Sequence, residues 1–148
     1  MSRVNDLSLA EYRALAKFRC QIRKFLHFSE EQARAYGLEP QQHQLLLAVR
    51  GLPEGKNSTI GELAGWLRLK HNSTVELVNR LEALGAVARS KSKADRRQAI
   101  IRLIPAESLP LRKLSLVHRH ELETTGPELA LSLQAVMRGS NGLKGYRA

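Results

Sequence analysis

Apolar positions recur at helical spacing through most of the chain. Leu15, Phe18, Ile22 and Phe25 fall three and four apart in a stretch from Ser8 to about Tyr36 that holds no proline or glycine. This predicts one long helix with a single apolar stripe. Ser8 and Glu11 have capping-box spacing at its start, and Gly37 closes it. Pro40 opens a second helix on Leu45, Leu46, Leu47 and Val49, and Gly51 with Pro53 ends it. Thr59 and Glu62 make a second capping box ahead of Ile60, Leu63, Ala64 and Leu67, a short third helix. After a polar break at Lys70, His71 and Asn72 the same i, i+3, i+4, i+7 spacing returns at Thr74, Leu77, Val78 and Leu81. Gly85 stops this fourth helix.

The period then changes towards two. Val87 to Ser90 and Ala99 to Ile104 are short β-prone runs flanking the polar segment from Lys91 to Arg97, which predicts a hairpin with a long basic tip. Pro105 ends the second strand. Ser108 with Pro110 opens a helix carrying Leu111, Leu114 and Val117, which Gly126 and Pro127 are expected to break before a last helix with Leu129, Leu133, Val136 and Met137. Residues 139–148 hold three glycines in ten and read as a frayed, disordered tail.

The chain of 148 residues fits a single domain, 1–148, with helical extensions. Its composition, 43% hydrophobic and 26% charged, is enough to build a core. Twenty-four basic residues against 14 acidic ones leave a formal charge of +10, an excess that points to a polyanionic partner, nucleic acid before an anionic membrane surface. Cys20 is the single cysteine, so no internal disulfide can form, which suits a reducing compartment. The early charges at Arg3, Asp6, Glu11 and Arg13 predict no secretory leader. The longest strongly apolar run, Leu45 to Val49, is far short of the roughly 20 residues of a membrane span. The expectation is a soluble, cytoplasmic protein with no membrane partner.

Enzyme chemistry is not indicated: no paired catalytic carboxylates, glycine-rich phosphate loop or nucleophile motif stands out. The histidines make no metal motif, since His118 and His120 are two apart and point to different sides of a helix. No metal or cofactor is expected.

Two short helices on a tight polar turn, then a glycine and a basic hairpin, predict a mainly α fold with a small β-wing: a winged helix-turn-helix module over about 40–104, flanked by helices at about 8–36 and 108–138. If Thr74, Leu77, Val78 and Leu81 face the core, Asn72, Ser73, Glu76, Asn79 and Arg80 face away from it, with groups able to read base edges in a major groove. Between Ala86 and Arg102 the hairpin carries Arg89, Lys91, Lys93, Arg96, Arg97 and Arg102 against Asp95 alone, five of the ten net charges. That density suits phosphate or minor-groove contact. The competing class is a basic winged-helix module that binds RNA or a protein partner without operator specificity.

The sequence resembles the MarR family of bacterial transcriptional regulators over about residues 8 to 138. The resemblance rests on Ile60-Gly-Glu-Leu-Ala64, on Leu77-Val-Asn-Arg-Leu-Glu-Ala-Leu-Gly85 and on Asp95-Arg-Arg97. It implies a homodimer that binds double-stranded DNA at a pseudo-palindromic operator and, as is frequent in the family, is released by a small aromatic ligand or an oxidant. It places His71, Asn72, Ser73, Asn79 and Arg80 at the major groove and Arg96 and Arg97 at the wing arginines, with Asp95 holding one of them by a charge-assisted bond. Two departures are Glu76 on the reading face and Leu103-Ile-Pro-Ala-Glu107 after the wing, where the family has Leu-Thr-x-x-Gly. The first helix and the cluster of Leu129, Leu133, Val136 and Met137 carry more apolar surface than a lone winged helix needs, so the dimer is expected there. An effector cleft where the first, second and fifth helices meet would be lined by Phe18, Ile22, Arg23, His43 and Leu47.

Overall fold

The computed structural model describes residues 6–105 and 108–139. Five helices and one hairpin follow in the order α1 (Leu9–Ala35), α2 (Pro40–Gly51), α3 (Ile60–Leu67), α4 (His71–Ala83), β1 (Val87–Lys91), β2 (Ala99–Leu103) and α5 (Leu109–Gly139). The chain divides into two compact units, Met1–Ser29 with Val117–Ala148, and Glu30–Leu116.

In the first unit the capping box at the start of α1 is closed in both directions. The Ser8 N–H donates to Glu11 Oε2 at 2.6 Å and the Glu11 N–H donates to Ser8 Oγ at 3.2 Å. Phe25 and Phe28 on α1 set their ring edges against His118 on α5, with centroids 6.0 and 5.7 Å away, and His118 Nε2 lies 2.7 Å from Ser29 Oγ. Leu15, Leu133 and Met137 remain 40%, 41% and 56% exposed, so much of the apolar surface of these helices is uncovered within the single chain.

The second unit owns the core. Leu45, Leu63, Leu81, Ile101, Leu114, Val78, Val87 and Thr74 are its largest fully buried side chains, drawn from α2, α3, α4, both strands and the start of α5. Two helix ends supply the reversals. Gly37 (φ 81°) and Gly85 (φ 74°) both take the left-handed conformation, and the following N–H groups of Leu38 and Ala86 bond back to the carbonyls of Ala33 and Leu81 at 2.9 Å. The strands pair antiparallel from Val87↔Leu103 to Lys91↔Ala99. Ser58 adds a third edge: it receives the Ile101 N–H at 2.9 Å on its carbonyl, and its hydroxyl donates to the Ile101 carbonyl.

The break expected at Gly126-Pro127 is not there, because α5 runs through both residues to Gly139. Proline removes one ladder bond and crowds the preceding turn, a local cost of about 3 kcal/mol that can be absorbed as bending where long helix flanks it on both sides. The turn ahead of it is adapted: the Thr124 and Thr125 hydroxyls donate to the carbonyls of His120 and Glu121 at 3.0 and 2.9 Å, a back-bonding that itself bends helices. Of the expected tail, Gly139 is the last residue of α5 and 140–148 lie outside the described residues.

Candidate nucleic-acid interface

The turn between α3 and α4 takes three residues and no glycine. Arg68 adopts φ 57° and ψ 40°, and the Leu69 N–H bonds the Ala64 carbonyl at 3.0 Å, so α3 ends as a glycine-terminated helix would. A left-handed residue with a Cβ costs about 1–2 kcal/mol. Lys70 is the N-cap of α4, so His71, Asn72 and Ser73 form its first turn and are not part of the polar break. The Thr74 hydroxyl donates to the Lys70 carbonyl at 3.0 Å, tying that turn to the core side of the helix.

α4 is divided as its periodicity requires. Thr74, Leu77, Val78 and Leu81 are buried, and His71, Asn72, Ser73, Glu76, Asn79 and Arg80 are all exposed. Ser73 and Glu76 both lie inside the helix, so their capping-box spacing caps nothing. At the α3 start only half of the expected box forms: the Glu62 N–H donates to Thr59 Oγ1 at 3.2 Å, and the Glu62 carboxylate lies 3.7 Å from Lys56 Nζ.

The wing tip is held by two side chains. The buried Ser92 hydroxyl accepts the N–H groups of Ala94 and Asp95 at 3.3 Å, and Asp95 Oδ1 accepts the Arg97 N–H at 3.0 Å. Asp95 therefore positions Arg97 through its backbone, where a bond to a wing guanidinium was expected. Among the described residues Lys91, Lys93, Arg96 and Arg97 enter no salt bridge, and all four are exposed. Cations left in water on a protrusion are available to a polyanion and lose no partner on meeting one.

Periodicity gave no sign of the link between the wing and α4. Arg89 on β1 donates through Nη2 to Asn79 Oδ1, and its Nε lies 3.4 Å from Glu82 Oε2. The only sequence signal available was charge, since Arg89 is one basic residue among six in the hairpin.

The five residues expected around an effector fall in both units: Phe18, Ile22 and Arg23 in the first, His43 and Leu47 in the second. Phe18 and Ile22 are half-buried, Arg23 is exposed and His43 is buried. Leu47 is 48% exposed and lines a pocket of about 450 Å³ in the second unit, with Arg50, Leu103, Pro105, Ser108, Leu111, Arg112 and Ser115. Among the described residues no group of three His, Cys, Asp or Glu side chains could hold a metal, and no helix is long and apolar enough to cross a membrane.

Two short helices meeting at a tight turn, with a basic hairpin behind the second, define a winged helix-turn-helix protein. The MarR family model matches residues 36–98. The HTH-type transcriptional regulator YcgE of Bacillus subtilis (strain 168), itself uncharacterized, is 34% identical over 114 residues, spanning 77% of this chain and 72% of its own. The chain belongs to the MarR family, whose members are transcription regulators and not enzymes. Solved structures share its fold at low identity. AbsC of Streptomyces coelicolor, a MarR family transcriptional regulator, superposes with a TM-score of 0.71 at 19% identity over 97% of this chain and 100% of that one. A mutant S. aureus MepR bound to an oligodeoxyribonucleotide gives 0.61 at 16% identity over 86% and 91%.

Proposed function

We propose that the protein is a sequence-specific DNA-binding transcriptional regulator that acts as a homodimer on a pseudo-palindromic operator and is released by a small aromatic ligand. The observation that carries this reading is the outward face of α4. His71, Asn72, Ser73, Asn79 and Arg80 are exposed together opposite a buried stripe, beside a wing on which Lys91, Lys93, Arg96 and Arg97 enter no salt bridge among the described residues. A helix of this kind fits the major groove while the wing meets phosphates or the adjacent minor groove. The uncovered apolar surface of α1 and α5, with a groove of about 710 Å³ bounded by Leu7, Ala14, Leu15 and Val136, supports dimerisation through the first unit.

Selection of bound duplexes from a random pool tests the operator reading. The selected sites should be two inverted half-sites about one helical turn apart, preferred over bulk DNA by about a thousandfold or more. Asn79→Ala should relax preference at one base pair of each half-site and leave the others. A pool without enrichment would favour the competing RNA or protein module.

For the effector, the pocket at Leu47 combines apolar walls with two exposed arginines, Arg50 and Arg112, a set that suits an aromatic carboxylate. A ligand displaces DNA only through its difference in affinity for the bound and free states, so tenfold release needs about 1.4 kcal/mol of that difference. Titrating salicylate-like anions against the selected duplex complex should displace it, and Arg112→Ala should abolish the displacement. No displacement across a broad panel, with no binding by calorimetry, would mark a constitutive regulator.

A further inference from the structure

Asn79 and Glu82 lie one turn apart on α4, and Arg89 reaches both from the wing. Its Nη2 donates to Asn79 Oδ1 and its Nε faces Glu82 Oε2 at 3.4 Å. A guanidinium has only donors, so the carboxamide can have only one orientation: its oxygen meets Arg89 and its NH2 group points away. We propose that Arg89, held by Glu82, is a positioning residue that makes Asn79 a donor-only reader, so that it selects guanine where an unconstrained asparagine would select adenine. The inference rests on α4 being the base-reading helix.

The chemistry follows from the groove edges. Asparagine reads adenine by accepting from N6 on its oxygen while donating to N7 from its nitrogen. With Arg89 on the oxygen, one lone pair is occupied, and the adjacent positive charge repels the partly positive amino hydrogens of adenine from the other. Guanine presents two adjacent acceptors, N7 and O6, to which an outward NH2 group can donate, and the same cation favours that electronegative edge. Thymine offers a single acceptor beside a methyl group and is the weaker match. The wing strand, not the recognition helix alone, then sets the specificity of Asn79.

Duplex selection with the parent, Asn79→Ala, Arg89→Ala and Glu82→Gln tests the proposal. The base pair whose preference Asn79→Ala relaxes should carry guanine in the parent. In Arg89→Ala the freed oxygen should move that same position towards adenine, changing the guanine-to-adenine ratio by about tenfold, the scale of one good bidentate contact. Glu82→Gln, which keeps the hydrogen-bonding shape, should move it the same way by less, and thermal melts confirm that each variant folds. A phosphate-binding or merely structural Arg89 would weaken all duplexes alike and leave the ratio unchanged, and that result would overturn the proposal, as would adenine at this position in the parent. A readout without DNA separates the lock from the operator reading. In the free protein the Asn79 side-chain NH2 resonances should shift in both Arg89→Ala and Glu82→Gln. Unshifted resonances would overturn the lock, whereas shifted resonances with no sequence preference in the parent would overturn the assignment of α4 as a reader and the guanine choice with it.

Discussion

Leu81→Ala should cost about 2–5 kcal/mol of folding stability, the range for deleting a fully buried leucine and leaving a cavity. Leu81 is 0% exposed and belongs to the core cluster with Leu45, Leu63, Leu77, Val78, Val87 and Ile101. Its carbonyl also receives the Ala86 N–H at 2.9 Å, where the chain turns from α4 into the wing. A packing density like that of an organic crystal leaves little room for collapse around the lost atoms. Against a total stability of roughly 5–15 kcal/mol the loss is a large fraction, and DNA binding should fall with it, since Arg80 and Glu82 flank the deleted side chain. Lys113→Ala supplies the contrast: Lys113 is exposed on the part of α5 that belongs to the second unit, and its truncation should change stability by no more than about 0.5 kcal/mol. Urea unfolding at one fixed protein concentration is the measurement, because the stability of the proposed dimer would depend on concentration. A Leu81→Ala midpoint within error of the parent would mean that α4 is not packed as described.

Elements whose information is local were legible in the sequence. The stripe Thr74, Leu77, Val78 and Leu81 named the buried face of α4, and with it the exposed one, because side-chain direction along a helix depends only on spacing. Gly37 and Gly85 marked helix ends because both occupy a conformation that few other residues adopt cheaply. Where another residue takes on that work the signal vanishes: Arg68 makes the left-handed turn between α3 and α4, so the sequence placed the break two residues late and put His71 outside the helix. Pro127 misled in the opposite direction, since a proline's local cost says nothing about the length of helix that outweighs it. Contacts between elements left no periodic trace at all. Ser58 bonds Ile101 across 43 positions, and Arg89 bonds Asn79 across ten, yet these tie the wing to the module and fix the orientation of a candidate reading side chain. The candidate reading residues were therefore visible one by one, while the network that orients them was not.

Removing both wing arginines, Arg96→Ala with Arg97→Ala, takes four cations from the proposed dimer and should weaken binding to every duplex by about ten-thousandfold at 0.1 M salt. Each phosphate neutralised releases close to one condensed counterion, so the slope of log affinity against log salt changes by about 0.9 per contact, and at 0.1 M each contact contributes a factor of roughly ten. Four lost contacts, two per protomer of the proposed dimer, should make the slope shallower by about 3.6. The wing should survive the change, since its tip is built by the Ser92 hydroxyl and by Asp95 accepting the Arg97 backbone N–H, bonds that do not involve either guanidinium. Sequence preference distinguishes two ways for the same charges to act. Phosphate contacts carry no base information, so a uniform loss with an unchanged selected site assigns them to the backbone. Arginine inserted in a narrow minor groove favours A·T-rich steps, so a loss concentrated on duplexes with such flanks assigns the wing to groove shape. An unchanged salt slope in the double variant would remove the wing from the interface and leave α4 to bind alone.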